Sequence, residues 1–107
     1  MIEITYYSRF NAVIIKGHSG FAEEGKDIIC AGVSALAWTF EEAARRLVRE
    51  NKALEPTIVM ENGRAEISVD ARPNYEYEIK QILSYICGGF KHIAEQSPEY
   101  VRYIERN

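Results

Sequence analysis

Residues 56–70 read P-T-I-V-M-E-N-G-R-A-E-I-S-V-D. Pro56 opens the stretch, residues 57–61 and 64–70 carry β-branched and alternating apolar side chains, and the Asn62-Gly63 pair between them is a strong short-range turn signal. A tight hairpin is expected, with strands over 57–61 and 64–70. On either side of it the apolar spacing turns helical. Upstream, Ile29, Val33, Leu36, Phe40, Leu47 and Val48 follow Asp27, whose short carboxylate suits a helix cap. Downstream of Pro73, Tyr75, Ile79, Ile82, Leu83, Ile86, Phe90, Ile93 and Ala94 keep the same period until Pro98 stops the run, and a final strand is expected over 100–105.

The N-terminal part completes the pattern. Residues 2–7 alternate through Ile2, Ile4 and Tyr6, and residues 12–18 (AVIIKGH) form a second strand that ends on His18, the two being joined near residues 8–11. The resulting order is ββαββαβ. Strands grouped in hairpins point to an α+β domain, two main helices packed on a mixed or mostly antiparallel sheet. The ββα unit occurs twice without a shared residue pattern, so the duplication is architectural only.

A chain of 107 residues falls within the size of one domain, here spanning 1–107. Hydrophobic residues at 47% and charged residues at 27% give an ordinary globular balance, which argues against a disordered or fibrous chain. Thirteen Lys and Arg against sixteen Asp and Glu leave a formal charge of -3, so no basic excess draws in nucleic acid. The most apolar stretch, residues 28–40, is broken by Ser34 and Thr39 and is shorter than the ~20 residues of a membrane span. The N-terminal MIEITYYSRF lacks a basic region followed by an apolar run, so a cytoplasmic location is expected. Two cysteines are too few for a disulfide framework, and their spacing with His18 and His92 matches no metal-ligand pattern. No metal and no cofactor are expected.

The chemistry concentrates between positions 17 and 32, where Gly17, Gly20, Gly25 and Gly32 surround His18 and Cys30. Glycine gives a loop access to positive φ and lets a backbone approach a ligand closely. Cys30 falls in the first turn of the first helix, where N–H groups and the positive end of the dipole favour thiolate over thiol. The other reading of Cys30 is a small core residue. His18, at a strand end before the glycine loop, is placed to exchange a proton across to that helix start. Asp27 either caps the helix or orients the His18 ring. Ser34, four residues after Cys30 on the same face, either bonds within the site or back-bonds to its helix. Cys87 precedes Gly88 and Gly89 in a helical pattern and reads as buried packing, the glycines implying close approach or a break.

The run G-H-S-G-F-A-E-E-G-K-D-I-I-C-A-G-V-S-A-L, residues 17–36, resembles the signature of the bacterial ribosomal-processing cysteine protease family, often called Prp. That pattern is Gly-His, a loop of glycines and small residues, Asp, two apolar residues, Cys, and Ser four positions on. Gly17, His18, Asp27, Cys30 and Ser34 occupy all of these positions. Two departures are visible, Ser19 and Gly32 in places where alanine is usual, and neither is expected to touch a chemical group. The resemblance implies a homodimeric endopeptidase with catalytic His18 and Cys30, supported by Asp27 and Ser34. Gly17, Gly20, Phe21 and Gly25 would belong to the loop over the substrate. Its partner would be the N-terminal extension of large-subunit ribosomal protein twenty-seven.

In the mechanism this implies, the Cys30 thiolate attacks the scissile carbonyl and His18 protonates the leaving amine. Backbone N–H groups of the first helical turn, that of Cys30 included, are the expected oxyanion donors, because a helix start leaves them unpaired. The family's substrates carry aromatic residues before the cut, which asks for an apolar pocket. Phe21 and Trp38 are candidates for it, or else core or dimer contacts, and Tyr75, Tyr77, Tyr100 and Tyr103 are available for an interface. The alternatives from other classes are a non-catalytic ribosome-assembly or peptide-binding module using the same glycine loop, and a redox sensor pairing Cys30 with Cys87.

Overall fold

The computed structural model describes residues 1–23 and 27–107. The expected order is present: β1 (Ile2–Tyr7), a 3-10 turn (Ser8–Phe10), β2 (Ala12–Lys16), α1 (Ile28–Arg49), β3 (Ala53–Glu61), β4 (Arg64–Ala71), α2 (Glu76–Gln96) and β5 (Val101–Arg106). The strands form one five-stranded sheet in the order β3-β4-β2-β1-β5. All neighbours are antiparallel except β1 and β5, which run parallel from Ile2↔Val101 to Tyr7↔Arg106. The sheet is therefore mixed and mostly antiparallel, as its sequence pattern implied.

Alternation along the strands puts Ile2, Ile4 and Tyr6 of β1, Val13 and Ile15 of β2, and Ala65, Ile67 and Val69 of β4 into one core. The helices close it with stripes at helical spacing: Ile29, Val33, Ala37, Phe40, Ala44 and Leu47 from α1, and Ile79, Leu83, Ile86, Cys87 and Phe90 from α2. Helix α1 ends where Asn51 takes a positive φ of 60°, and the Lys52 N–H turns back to the Leu47 carbonyl at 2.8 Å. Helix α2 runs through Gly88 and Gly89 unbroken. A Cβ on Gly89 would lie 3.0 Å from both Leu36 methyls, so this glycine permits the close packing of the two helices. No helix among the described residues is long and apolar enough to cross a membrane.

Two strand boundaries differ from their sequence reading by more than one residue. β2 stops at Lys16 rather than at His18, because Gly17 leaves the sheet with φ +95°. β3 begins at Ala53, ahead of Pro56, and pairs Ala53↔Ala71 and Leu54↔Asp70 before its register shifts between Leu54 and Thr57. Pro56 has no N–H to give a ladder, and an edge strand tolerates it at such an irregularity.

Candidate active site

Gly17 begins the site. A Cβ at this position would meet the Met1 carbonyl oxygen at 2.4 Å, so sterics demand glycine here as well as its φ does. The Gly17 N–H donates to the Gly63 carbonyl at 2.8 Å, which ties the end of β2 to the turn of the β3–β4 hairpin. His18 follows, exposed, with its ring laid over that turn. A Cβ on Gly63 would come within 3.0 Å of His18 Nε2. Gly63 itself has φ +77°, so it serves the turn and leaves room for the imidazole at once.

Cys30 lies in the first turn of α1, half-buried. Asp27 caps that helix: Oδ1 accepts the N–H groups of Ile29 and Cys30, each at 2.9 Å. Its other oxygen, Oδ2, accepts the hydroxyl of Ser19. Ser19 is buried, its Oγ also accepts the Phe21 N–H at 3.0 Å, and its own N–H points at Cys30 Sγ at 3.5 Å. These bonds hold the Asp27 carboxyl at about 2, well below the usual 3.8. The Ser19 hydroxyl lowers it most; burial opposes the shift, and the Cys30 and Ile29 amides add to it.

His18, Cys30 and Ser34 line one cleft of about 580 Å³, which runs between the start of α1 and the hairpin turn. Trp38, one turn beyond Ser34, and Met60 of β3 add apolar walls. Phe21 stands apart. Its ring packs edge-on against Tyr100 at 5.4 Å between centroids, and it is not among the cleft's described lining residues. Gly20, with φ +75°, borders the cleft, while Gly25, expected in the same loop, lies outside the described residues. Cys87 is buried away from this cleft, and burial pushes its thiol up to about 12 against the opposing hydrogen bond from Tyr103.

Two expectations change at this level. The amides of Ile29 and Cys30 do not project unpaired from the helix start, because the Asp27 carboxylate takes both. Ser19, read as a neutral departure from the loop pattern, contacts the chemical groups of the site through hydroxyl and amide. A small polar residue in a glycine loop carries no distinguishing local signal, and its contact with Asp27 and Cys30 arises only in three dimensions. Gly63 was legible as a turn residue, but its seat beneath His18 depends on the β2–β4 pairing Lys16↔Arg64.

A thiol at a capped helix start sharing a cleft with an imidazole belongs to the chemistry of cysteine proteases. The family model described as Cysteine protease Prp matches residues 1–102, and the chain belongs to that family. It is 33% identical over 106 residues to the ribosomal processing cysteine protease Prp of Mycoplasma genitalium, covering 94% of this chain and 92% of that protein. The crystal structure of the S. aureus processing protease Prp with a covalently linked product peptide has the same fold. It matches at a TM-score of 0.77 and 24% identity, over 99% of this chain and all of that one. SMU.848 from Streptococcus mutans matches at a TM-score of 0.65 and 20% identity, over 98% of this chain and 91% of that chain.

Proposed function

We propose that this cysteine protease is a single domain over residues 1–107 that removes the N-terminal extension of large-subunit ribosomal protein twenty-seven, with Cys30 as nucleophile and His18 as acid and base. The observation that carries this reading is that Cys30 and His18 line one cleft, the Cys30 backbone N–H held by the Asp27 cap and the imidazole seated beside Gly63. The relative from Mycoplasma genitalium is itself named for ribosomal processing, and the S. aureus protein was crystallised in complex with a covalently linked product peptide. An extended peptide enters between the hairpin turn and α1, with Trp38 and Met60 offering the apolar wall for a large side chain. The Cys30 sulfur attacks the scissile carbonyl carbon and His18 gives a proton to the departing amine. Water activated by the same imidazole then releases the acyl group. Ser34 borders the reacting thiol from one turn deeper in the helix. The protein is expected in the cytoplasm, as a homodimer, and without a cofactor.

Mass spectrometry of the extended ribosomal protein after incubation with wild-type, Cys30→Ala and His18→Ala chains tests the assignment. Loss of the extension only with the wild type is the expected result. Unimpaired cleavage by either variant overturns the dyad. Sedimentation at twice the chain mass is expected for the dimer, and a single-chain mass at micromolar concentration excludes it.

A further inference from the structure

We infer that the backbone N–H of Ser19, in the loop before α1, donates to the oxyanion that forms during attack by Cys30. The inference rests on the reading of Cys30 as the nucleophile and supplies what the helix start does not. The Ile29 and Cys30 amides are each held 2.9 Å from Asp27 Oδ1 and so are spent on the cap. The Ser19 amide, by contrast, has its hydrogen directed at Cys30 Sγ from 3.5 Å. Ser19 itself is not among the cleft's described lining residues, but His18 and Gly20 on either side of it line the cleft together with Cys30. An N–H aimed at the sulfur thus borders the space into which the substrate oxygen moves once carbon bonds to sulfur. Oxyanion donors act at about 2.7–3.1 Å from that oxygen rather than from the ground-state carbonyl.

The step balances without any added reagent. The sulfur lone pair forms the S–C bond, the carbonyl π pair moves onto oxygen, and the Ser19 N–H bonds to the resulting anion. Collapse restores the C=O bond and expels the amine, which takes its proton from His18. The Ser19 side chain keeps the donor in place beforehand. Its hydroxyl is fixed to Asp27 Oδ2, and its oxygen receives the Phe21 N–H at 3.0 Å, so Ser19 and, through it, Phe21 are tied to the capped helix. Burial of Ser19, 4% exposed, shields that arrangement from water.

Cys30 offers the junction for the experiment. A synthetic peptide of residues 1–29 with a C-terminal thioester is ligated to recombinant 30–107, once with every amide intact and once with an ester replacing the bond between His18 and Ser19. The ester keeps the side chains and removes one N–H. Against a peptide that the unmodified chain cleaves, kcat is expected to fall about a hundredfold with KM within about twofold. Alkylation of Cys30 by iodoacetamide develops no oxyanion, so its rate is expected to stay within about twofold of the all-amide protein. Buried Cys87 leaves that label to Cys30. Ser19→Ala, which frees the loop but keeps the N–H, is expected to lose about tenfold in kcat. An ester protein that cleaves at the all-amide rate overturns the inference. So does one whose alkylation and cleavage fall together, since the amide would then serve the thiol rather than the oxyanion. Continued cleavage by Cys30→Ala would instead remove the underlying assignment of the nucleophile, which keeps the two failures distinct.

Discussion

The Asp27 carboxyl, held at about 2 rather than 3.8, first by the Ser19 hydroxyl, links the site to stability. A carboxyl whose folded value is depressed adds stability above its unfolded value and loses it as pH falls through the folded one. The contribution of Asp27 should therefore be complete above about pH 5 and decline between roughly pH 4 and 2. Urea midpoints of wild type and Asp27→Asn, compared across that range, check this; a gap that stays constant down to pH 2 contradicts it. Gly63 tests the imidazole side. Gly63→Ala must accept φ +77° and place a Cβ 3.0 Å from His18 Nε2. Left-handed backbone costs roughly 1–2 kcal/mol at a residue with a side chain. Turnover is expected to fall by more than tenfold, more than that stability loss explains. Gly63→Asn, which tolerates the backbone better, is expected to fold well and to be equally impaired. Full activity in Gly63→Asn would show that the imidazole does not need this seat. At this scale the Asp27 cap and the place of Cys30 in the first helical turn were legible because a cap and a helix start are local signals. The contacts of Ser19 with Asp27 and Cys30, and the seat of Gly63 beside His18, were not, since they join residues eight or more positions apart in the chain.

The two neighbouring glycines of α2 differ in what surrounds them. Nothing lies within 4 Å of a Cβ placed on Gly88, whereas one on Gly89 meets two Leu36 methyls at 3.0 Å. Alanine is favoured over glycine in a helix interior by about 1 kcal/mol. Gly88→Ala should therefore stabilise the protein by about that amount, and Gly89→Ala should forfeit the gain to crowding, ending about 1–2 kcal/mol below Gly88→Ala. Chemical denaturation of the pair checks this, and equal stabilisation by both would show that Leu36 moves aside freely. Elements announced by periodicity and turn chemistry, the hairpin at Asn62-Gly63 and both helices, appeared where the residues placed them. The boundaries that moved were set by longer-range facts. Gly17 collides with Met1 across the sheet if it carries a side chain, and Ala53 and Leu54 join β3 because β4 continues far enough to pair with them.

Over the whole molecule one core serves all five strands and both α-helices, with Phe40 of α1 and Phe90 of α2 both 0% exposed within it. Removing either ring should cost about 3–5 kcal/mol, the range for a large buried aromatic cut to alanine. Phe40→Ala unfolding in urea measures it, and a loss below about 1 kcal/mol would show that the helices repack over the void. The fold class was readable at this scale because grouped strands and two amphipathic helices admit few packings. The neighbour of β1 on its outer side was not, since nothing near Ile2 announces a partner at Val101. That parallel pairing also orders events in time. As the polypeptide is synthesised from its N-terminus, β1, β2 and α1 emerge early, bringing His18 and Cys30 with them. The outer edge of β1 stays open, without its ladder of hydrogen bonds, until β5 has been made. The sheet therefore closes only after residue 106 has been made, although His18 and Cys30 are both made within the first third of the chain.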